Sequence, residues 1–329
     1  MRILKSKLFI FSTILILLLV LFFFAINTGS IKVTPQELWN GLFVSFDEKV
    51  AAVYNLRFPR IFIAILAGAA IATSGVLLQA LLKNPLADPS VIGISSGASC
   101  VSVIVMSFFP SLYFYTPLFA FVGGVITGII IYLLSYKSGL QPLRMILIGV
   151  AINAAFVGIL DIFGSMGGSQ SGVASIVNAN ISLKTWQDVQ LLFSYVGIGL
   201  IATLCISNVC NILALEDKTM QSLGIPIIKY RLMITLLAIL LASISTAVVG
   251  VISFLGLIAP HIGRIIIGSD HKYLIPFTML LGAFILLLAD TIGRIIATPY
   301  EISASIIMAI IGGPFFILLL KRSEKVNGK

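Results

Sequence analysis

Few residues in this chain are equipped to make or break bonds. Its 329 residues include only two histidines, three cysteines and 12 acidic side chains. None falls into the spacing of a nucleotide-binding GxxxxGK[ST] loop, a CxxC pair, an HExxH zinc helix or a GxSxG nucleophile turn. No catalytic residue, metal site or cofactor is therefore assigned. What remains is charge. Arg57 and Arg60 stand three residues apart and share one helix face. A guanidinium presents a planar fork that takes a carboxylate bidentately. Arg294 follows Asp290 by one helical turn and is placed to pair with it or to anchor a helix end. Asp161 and Asp290 lie near the ends of apolar spans, where an ionisable group needs a partner or water.

The elements that position these residues are membrane spans. The chain is 59% hydrophobic and 10% charged, against roughly 25% charged for soluble proteins. It reads as an all-α integral membrane protein of about ten helices, one transmembrane domain over residues 1–329 with no polar stretch large enough for a second. The first span follows Arg2, Lys5 and Lys7, and its apolar core is too long for a signal peptide. Residues 27–56 form the first outside loop, in which Thr34-Pro35-Gln36-Glu37 is a capping box that starts a short surface helix from Pro35 to about Phe43. The second span runs uncharged from Ile61 to Leu82. Asn84-Pro85 and Asp88-Pro89 then stop the helix, because the residue before a proline avoids the α region. Further spans cover about 93–110, 117–136, 144–163, 189–213, 232–251, a stretch broken by Pro260, 274–296 and 303–320. A glycine- and serine-rich segment, 164–188, reads as an outside loop.

With both termini inside, 15 of the 21 Lys and Arg residues fall in inside loops and tails, as the positive-inside rule requires. The net charge of +9 thus sets topology and calls for no nucleic acid. Cys100, Cys205 and Cys210 lie in or beside apolar spans and read as free thiols. An offset of 171 residues carries Arg60 to Arg231, Ala67 to Ala238, Ser74 to Ser245, Leu86 to Leu257, Pro89 to Pro260 and Gly97 to Gly268. The two copies would start on opposite sides of the bilayer, an inverted repeat of the kind transporters use.

The order RxPR, GAAxAxSG, QxxxxNPLADP and GxSxGA between Arg57 and Ala98 resembles the FecCD-type permeases of binding-protein-dependent ABC importers. The similarity continues through FLGLIAPHIGR, LLGAFILLLADTIGR and the closing IIGGPFFILLLKR. It implies a type II ABC importer permease that moves an iron complex, haem or ferric siderophore, into the cytoplasm. A separate ATP-binding subunit in two copies would supply the energy. An extracellular substrate-binding lipoprotein and a second permease, a copy or a paralogue, would complete the assembly in the cell membrane. By the same resemblance, Arg57, Arg60 and Arg294 receive acidic side chains of the binding protein. The loop 214–228 corresponds to the coupling helices that fit the ATPase. Within it Glu216, Asp217, Met220, Leu223, Gly224, Ile225 and Pro226 carry the match, with Met220, Leu223 and Ile225 as apolar anchors and Gly224 as the turn. Asn84 and Leu86 match inner-gate positions, although a plain helix-ending turn fits them equally. Gln141-Pro142-Leu143 departs from the family's other gate stretch, and the residues before Trp186 (IVNANISL) depart from its usual Gly-Ser pattern.

His261 lies in the family's PHxxR pattern and His271 in an inside loop, so both are expected to be structural and not haem ligands. The sequence TGSIKVTPQELWNG together with LRFPR is similar to haem permeases of Gram-positive bacteria, which places haem ahead of a siderophore and cobalamin third. An ion-gradient-driven secondary transporter is the alternative from another class. It would need buried acidic residues in mid-span, and the acids here cluster near span ends.

Overall fold

The computed structural model describes residues 2–28, 33–43, 48–136, 142–165, 173, 176–182, 184–297 and 300–327. Regular structure among them is helical throughout. The helices are α1 (Arg2–Asn27), α2 (Pro35–Phe43), α3 (Glu48–Leu82), α4 (Ile94–Phe108), a 3-10 segment (Pro110–Tyr115), α5 (Thr116–Tyr136), α6 (Pro142–Ser165), α7 (Trp186–Cys205), α8 (Ser207–Leu213), α9 (Asp217–Ser222), α10 (Ile227–Val249), α11 (Leu255–Ile267), α12 (His271–Ile296) and α13 (Ala304–Asn327). Gln141 and most of the 166–175 segment lie outside the described residues.

The bundle is built around α3, which packs against α1, α2, α7, α8, α10, α11 and α12. In its most apolar window 83% of the residues are buried, against 11% for α6, so α3 is the core and α6 the periphery. Small residues make that packing possible. A methyl group at Gly75 would overlap the backbone of Gly256 on α11, and one at Gly68 would overlap Gly282 on α12. Backbones that approach this closely gain van der Waals contact where lipid supplies no hydrophobic drive between helices. Ser74 adds an interhelical hydrogen bond, its hydroxyl donating to the Ala238 carbonyl on α10 at 2.7 Å.

Among the described residues seven helices are long and apolar enough to cross a membrane, and three shorter apolar ones, Ile94–Phe108, Leu255–Ile267 and Ala304–Leu319, fall where the third, eighth and tenth spans are expected. At 15 and 13 residues, α4 and α11 reach about 20 Å, less than the ~30 Å hydrocarbon core. Each is preceded by irregular backbone inside the protein, where such backbone is tolerated. Before α4 this is the Lys83–Gly93 turn, of which residues 87–90 are buried. Before α11 it is the extended stretch after Gly250. Both helices begin at a left-handed residue, Gly93 (φ 88°) and Phe254 (φ 65°).

Four expectations shift. The surface helix Pro35–Phe43 forms with the expected box, Thr34 N–H to Glu37 Oε2 at 2.8 Å and Glu37 N–H to Thr34 Oγ1 at 3.2 Å; but the outside loop 27–56 is shorter than expected, because α3 already starts at Glu48. The single span 189–213 is two helices, kinked at Ile206 (φ −97°, ψ 8°). Pro260 does not break α11. It lacks the N–H that would bond the Gly256 carbonyl one turn back, and Gln79 Nε2 takes that carbonyl instead at 3.2 Å. Of the residues related by the 171-residue offset, Arg60, Ala67 and Ser74 lie on α3 and Arg231, Ala238 and Ser245 on α10. Pro89 lies in a turn and Pro260 within a helix, so the copies diverge after their long helices.

Candidate functional site

Charged residues gather around two points of α3: a first end at Arg57–Arg60, about three turns in from Glu48, where the uncharged run begins, and a second at Lys83, just past Leu82. At the first end Arg60 lies inside the protein. Its Nε donates to both oxygens of Asp290 on α12 (2.9 and 3.0 Å), Nη2 lies 2.8 Å from Asp290 Oδ1, and Nη1 meets Glu301 Oε2 at 2.7 Å. Asp290 is fully buried, and Arg294, one turn on, places its Nε 3.4 Å from Asp290 Oδ2. The carboxyl group of Asp290 therefore lies between two guanidinium groups, which pair it on both sides. Arg57 is half-buried and donates from Nη1 to the Ile26 carbonyl at the end of α1 at 2.5 Å. All three predicted arginines thus meet at one end, with Arg60 and Arg294 turned inward and Arg57 nearest the surface.

Glu301 stands in the connection between α12 and α13, outside the spans. Besides Arg60 it accepts a hydrogen bond from Ser182 Oγ at 2.5 Å. Partial burial pushes its carboxyl up, but the bonds from Ser182 and Arg60 outweigh this and hold it below the usual glutamate range. Sequence reasoning missed this residue, which lies 241 positions from Arg60. Close by, Trp186 Nε1 donates to the Tyr54 carbonyl at 3.0 Å, one turn before Arg57. Lys184, Asp188 and Tyr113 form a buried cluster, with Tyr113 Oη donating to Asp188 Oδ1 at 2.5 Å and Lys184 Nζ at 3.6 Å from the same oxygen.

At the other end, Asp217 opens α9 and joins three elements. Arg231 Nη2 on α10 donates to both of its oxygens at 2.8 Å, and Lys83 Nζ, just past α3, lies 3.2 Å from Oδ1. Lys83 also donates to the Leu215 carbonyl at 2.6 Å. The Arg231 bond, followed by that of Lys83, holds the Asp217 carboxyl below its usual range. The expected helix–Gly–Pro–helix pattern is present. Helix α9 ends at Ser222, Gly224 has φ 68°, and α10 starts after Pro226. Of the expected apolar anchors, Met220 is buried in its own chain, Ile225 is half-buried, and Leu223 points outward with 64% exposure. Ile228, in the first turn of α10, is exposed as well, at 85%, and the motif did not single it out. Glu216 is exposed at the start of α9.

Immediately beyond Lys83, past the second end of α3, lies the NPLADP turn. Asn84 Oδ1 accepts the Leu86 N–H at 2.9 Å, and Asp88 Oδ1 accepts the Ser90 N–H at 2.8 Å, so both side chains close local turns. Gln79 ties the turn to α11, donating to the Ala87 and Gly256 carbonyls at 3.2 Å each and accepting from Arg264 Nη1 at 2.5 Å. His261 packs edge-on to Phe315, and His271 Nδ1 lies 2.8 Å from Asn211 Oδ1. Among the described residues no group of three His, Cys, Asp or Glu side chains could hold a metal, and the three cysteines are free thiols.

Comparison with known proteins gives this geometry a context. Residues 17–322 match the FecCD transport family. The chain is 40% identical over 325 residues to a Staphylococcus aureus (strain Newman) protein described as "Probable heme-iron transport system permease protein IsdF", with 99% of both chains covered. Among solved structures it is similar to an inward-facing ABC transporter described as of the metal-chelate type, with a TM-score of 0.78 and 26% identity over 96% of this chain and 99% of that one. PsaBC from Streptococcus pneumoniae shares the fold at a TM-score of 0.55 and 16% identity, covering 89% of this chain and 100% of that one.

Proposed function

Because the chain belongs to the FecCD transport family, we propose that it is the permease of a haem importer in the cell membrane. It is a multi-pass membrane protein and the permease of an ABC import system for iron complexes. The observation that carries haem as the cargo is the 40% identity, across 99% of both chains, to a permease described as serving haem-iron transport.

In this reading the Arg57–Arg60–Arg294 end faces outward and receives the substrate-binding protein, while the Asp217 end and both termini face the cytoplasm. Two copies of a separate ATP-binding subunit hydrolyse ATP, and a second permease, copy or paralogue, completes the pathway. Leu223 and Ile228, flanked by Ile225, form the apolar knob that fits the ATPase. When that loop moves, Asp217 passes the displacement to α3 through Lys83 and to α10 through Arg231. Asn84 and Leu86, immediately beyond Lys83, are then placed to act as the inner gate. Motion of this kind, packed helices rocking against one another, is how alternating access is achieved without chemistry in the permease.

Iron uptake by cells lacking the gene tests the cargo. Labelled iron supplied as haem should no longer enter and should enter again when the gene is restored, with ferric siderophores unaffected. Loss confined to one siderophore would overturn the haem reading.

A further inference from the structure

Arg60 holds two carboxylates of different character. Asp290 is fully buried, accepts from Nε and Nη2, and has nowhere to go. Glu301 accepts from Nη1 alone, its side chain is 43% exposed, and it sits on the short connection between two helices. The guanidinium that the proposed function assigns to docking is therefore already occupied. With its side chain 6% exposed, Arg60 meets a solvent-accessible acid at Nη1, where Glu301 sits, so an incoming carboxylate competes with Glu301 for that position.

We propose that Glu301 is a displaceable internal occupant of the docking arginine, which stands in for the binding protein's carboxylate and exchanges with it on docking. This rests on the docking reading above. For Arg60 the exchange replaces one charge-assisted hydrogen bond with another of the same kind. Glu301, half open already, moves into water with little left to rehydrate, whereas Asp290, fully buried, would be left with Arg294 at 3.4 Å as its remaining cation. The exchange also has a second consequence. The oxygen that Arg60 holds is the one that accepts from Ser182, so Glu301 links the docking arginine to the segment that leads into α7. Trp186, four residues on, is fixed to Tyr54 beside Arg57. Displacing Glu301 frees that segment on one side while the other stays anchored, which carries the arrival of the binding protein to the outer loop. Until then, Glu301 reduces docking in two ways. It competes for Nη1, and its charge repels the approaching carboxylate.

The test uses the full permease–ATPase complex in lipid nanodiscs and the binding protein that sustains uptake through this permease. Docking affinity is compared for wild type, Glu301→Gln, Ser182→Ala and Arg57→Glu. Glu301→Gln removes the competing charge and should tighten docking by about tenfold, chiefly through faster association. Ser182→Ala leaves every charge in place and loosens Glu301, so a smaller increase of about twofold to threefold is expected. If both variants dock no more tightly than wild type, or if Glu301→Gln docks more weakly, the exchange is wrong and Glu301 merely positions Arg60. Should Glu301→Gln fail to assemble, Ser182→Ala alone decides. Arg57→Glu separates the two ideas. Normal docking by that variant refutes the docking reading itself, while lost docking with no gain in the Glu301 variant refutes only the exchange.

Discussion

Both ends of α3 join a basic side chain to an aspartate, yet the two arrangements differ in how much water reaches them. Arg60 and Asp290 are buried and share three contacts. Lys83, Arg231 and Asp217 are each roughly two-fifths to half exposed. In low dielectric the first pair is expensive to break and hard to move. In water the second is weak and exchanges readily. The contrast fits the work assigned to each end. On the proposed function, the buried pair would serve as a fixed outer frame that keeps α3 and α12 together beneath a docking surface. The exposed cluster would serve as a looser inner joint that lets the coupling loop shift relative to α3 and α10.

The most drastic way to disturb this contrast is to remove Asp290. Asp290→Asn leaves the buried guanidinium groups of Arg60 and Arg294 with Glu301 as the remaining acid beside Arg60, and should cost about 3–5 kcal/mol. Thermal unfolding of the detergent-solubilised protein would register it. The triple variant Arg60→Met, Asp290→Leu, Arg294→Met should recover most of that loss, since apolar replacements of the whole buried cluster avoid the desolvation penalty. Between the ends, Gln79→Leu would strip the donors from the Ala87 and Gly256 carbonyls and the acceptor from Arg264. A loss of about 1–3 kcal/mol is expected in the same assay, because the carbonyl left open by Pro260 has no replacement partner.

At the inner end the expected effect on stability is small and the effect on function is not. Asp217→Asn should lower stability by no more than about 1 kcal/mol, while substrate uptake by reconstituted vesicles falls and ATP hydrolysis continues. A matching loss of hydrolysis would mean that Asp217 holds the ATPase and does not transmit its movement. Smallest of all is the pH effect. The Asp217 carboxyl is held below its usual range, so its contribution is complete above the unfolded value of about 3.9 and disappears as pH falls through the folded one. The difference in melting temperature between wild type and Asp217→Asn should stay constant from about pH 8 to 5 and close only below about pH 4.

Much of this organisation could be read from the sequence where the signal is local. The capping box before α2, the Gly224–Pro226 pattern and the proline-punctuated turn after Leu82 depend on neighbours within a few residues, and all appear where expected. The beginning of α3 was obscured because Lys49, Asn55 and Arg57 interrupt the apolar run that marks a span. Glu301 was missed for another reason: its partner is far away in the chain, and no spacing rule links a lone acid in a connecting loop to an arginine on another helix. Met220 illustrates a third limit. Helix α9 has six residues, too few for periodicity to tell an inward methionine from an outward one.

The central claim is that the two ends of one helix serve two different partners, and a single binding measurement on the assembled importer addresses it. Arg57→Glu and Leu223→Asp would each be scored for retention of the binding protein and of the ATPase. Reversal at Arg57 is preferred over Arg60, whose burial would confound docking with unfolding. Arg57→Glu should lose the binding protein and keep the ATPase, and Leu223→Asp should do the reverse. A variant that loses the partner assigned to the opposite end, or keeps both, would contradict the account.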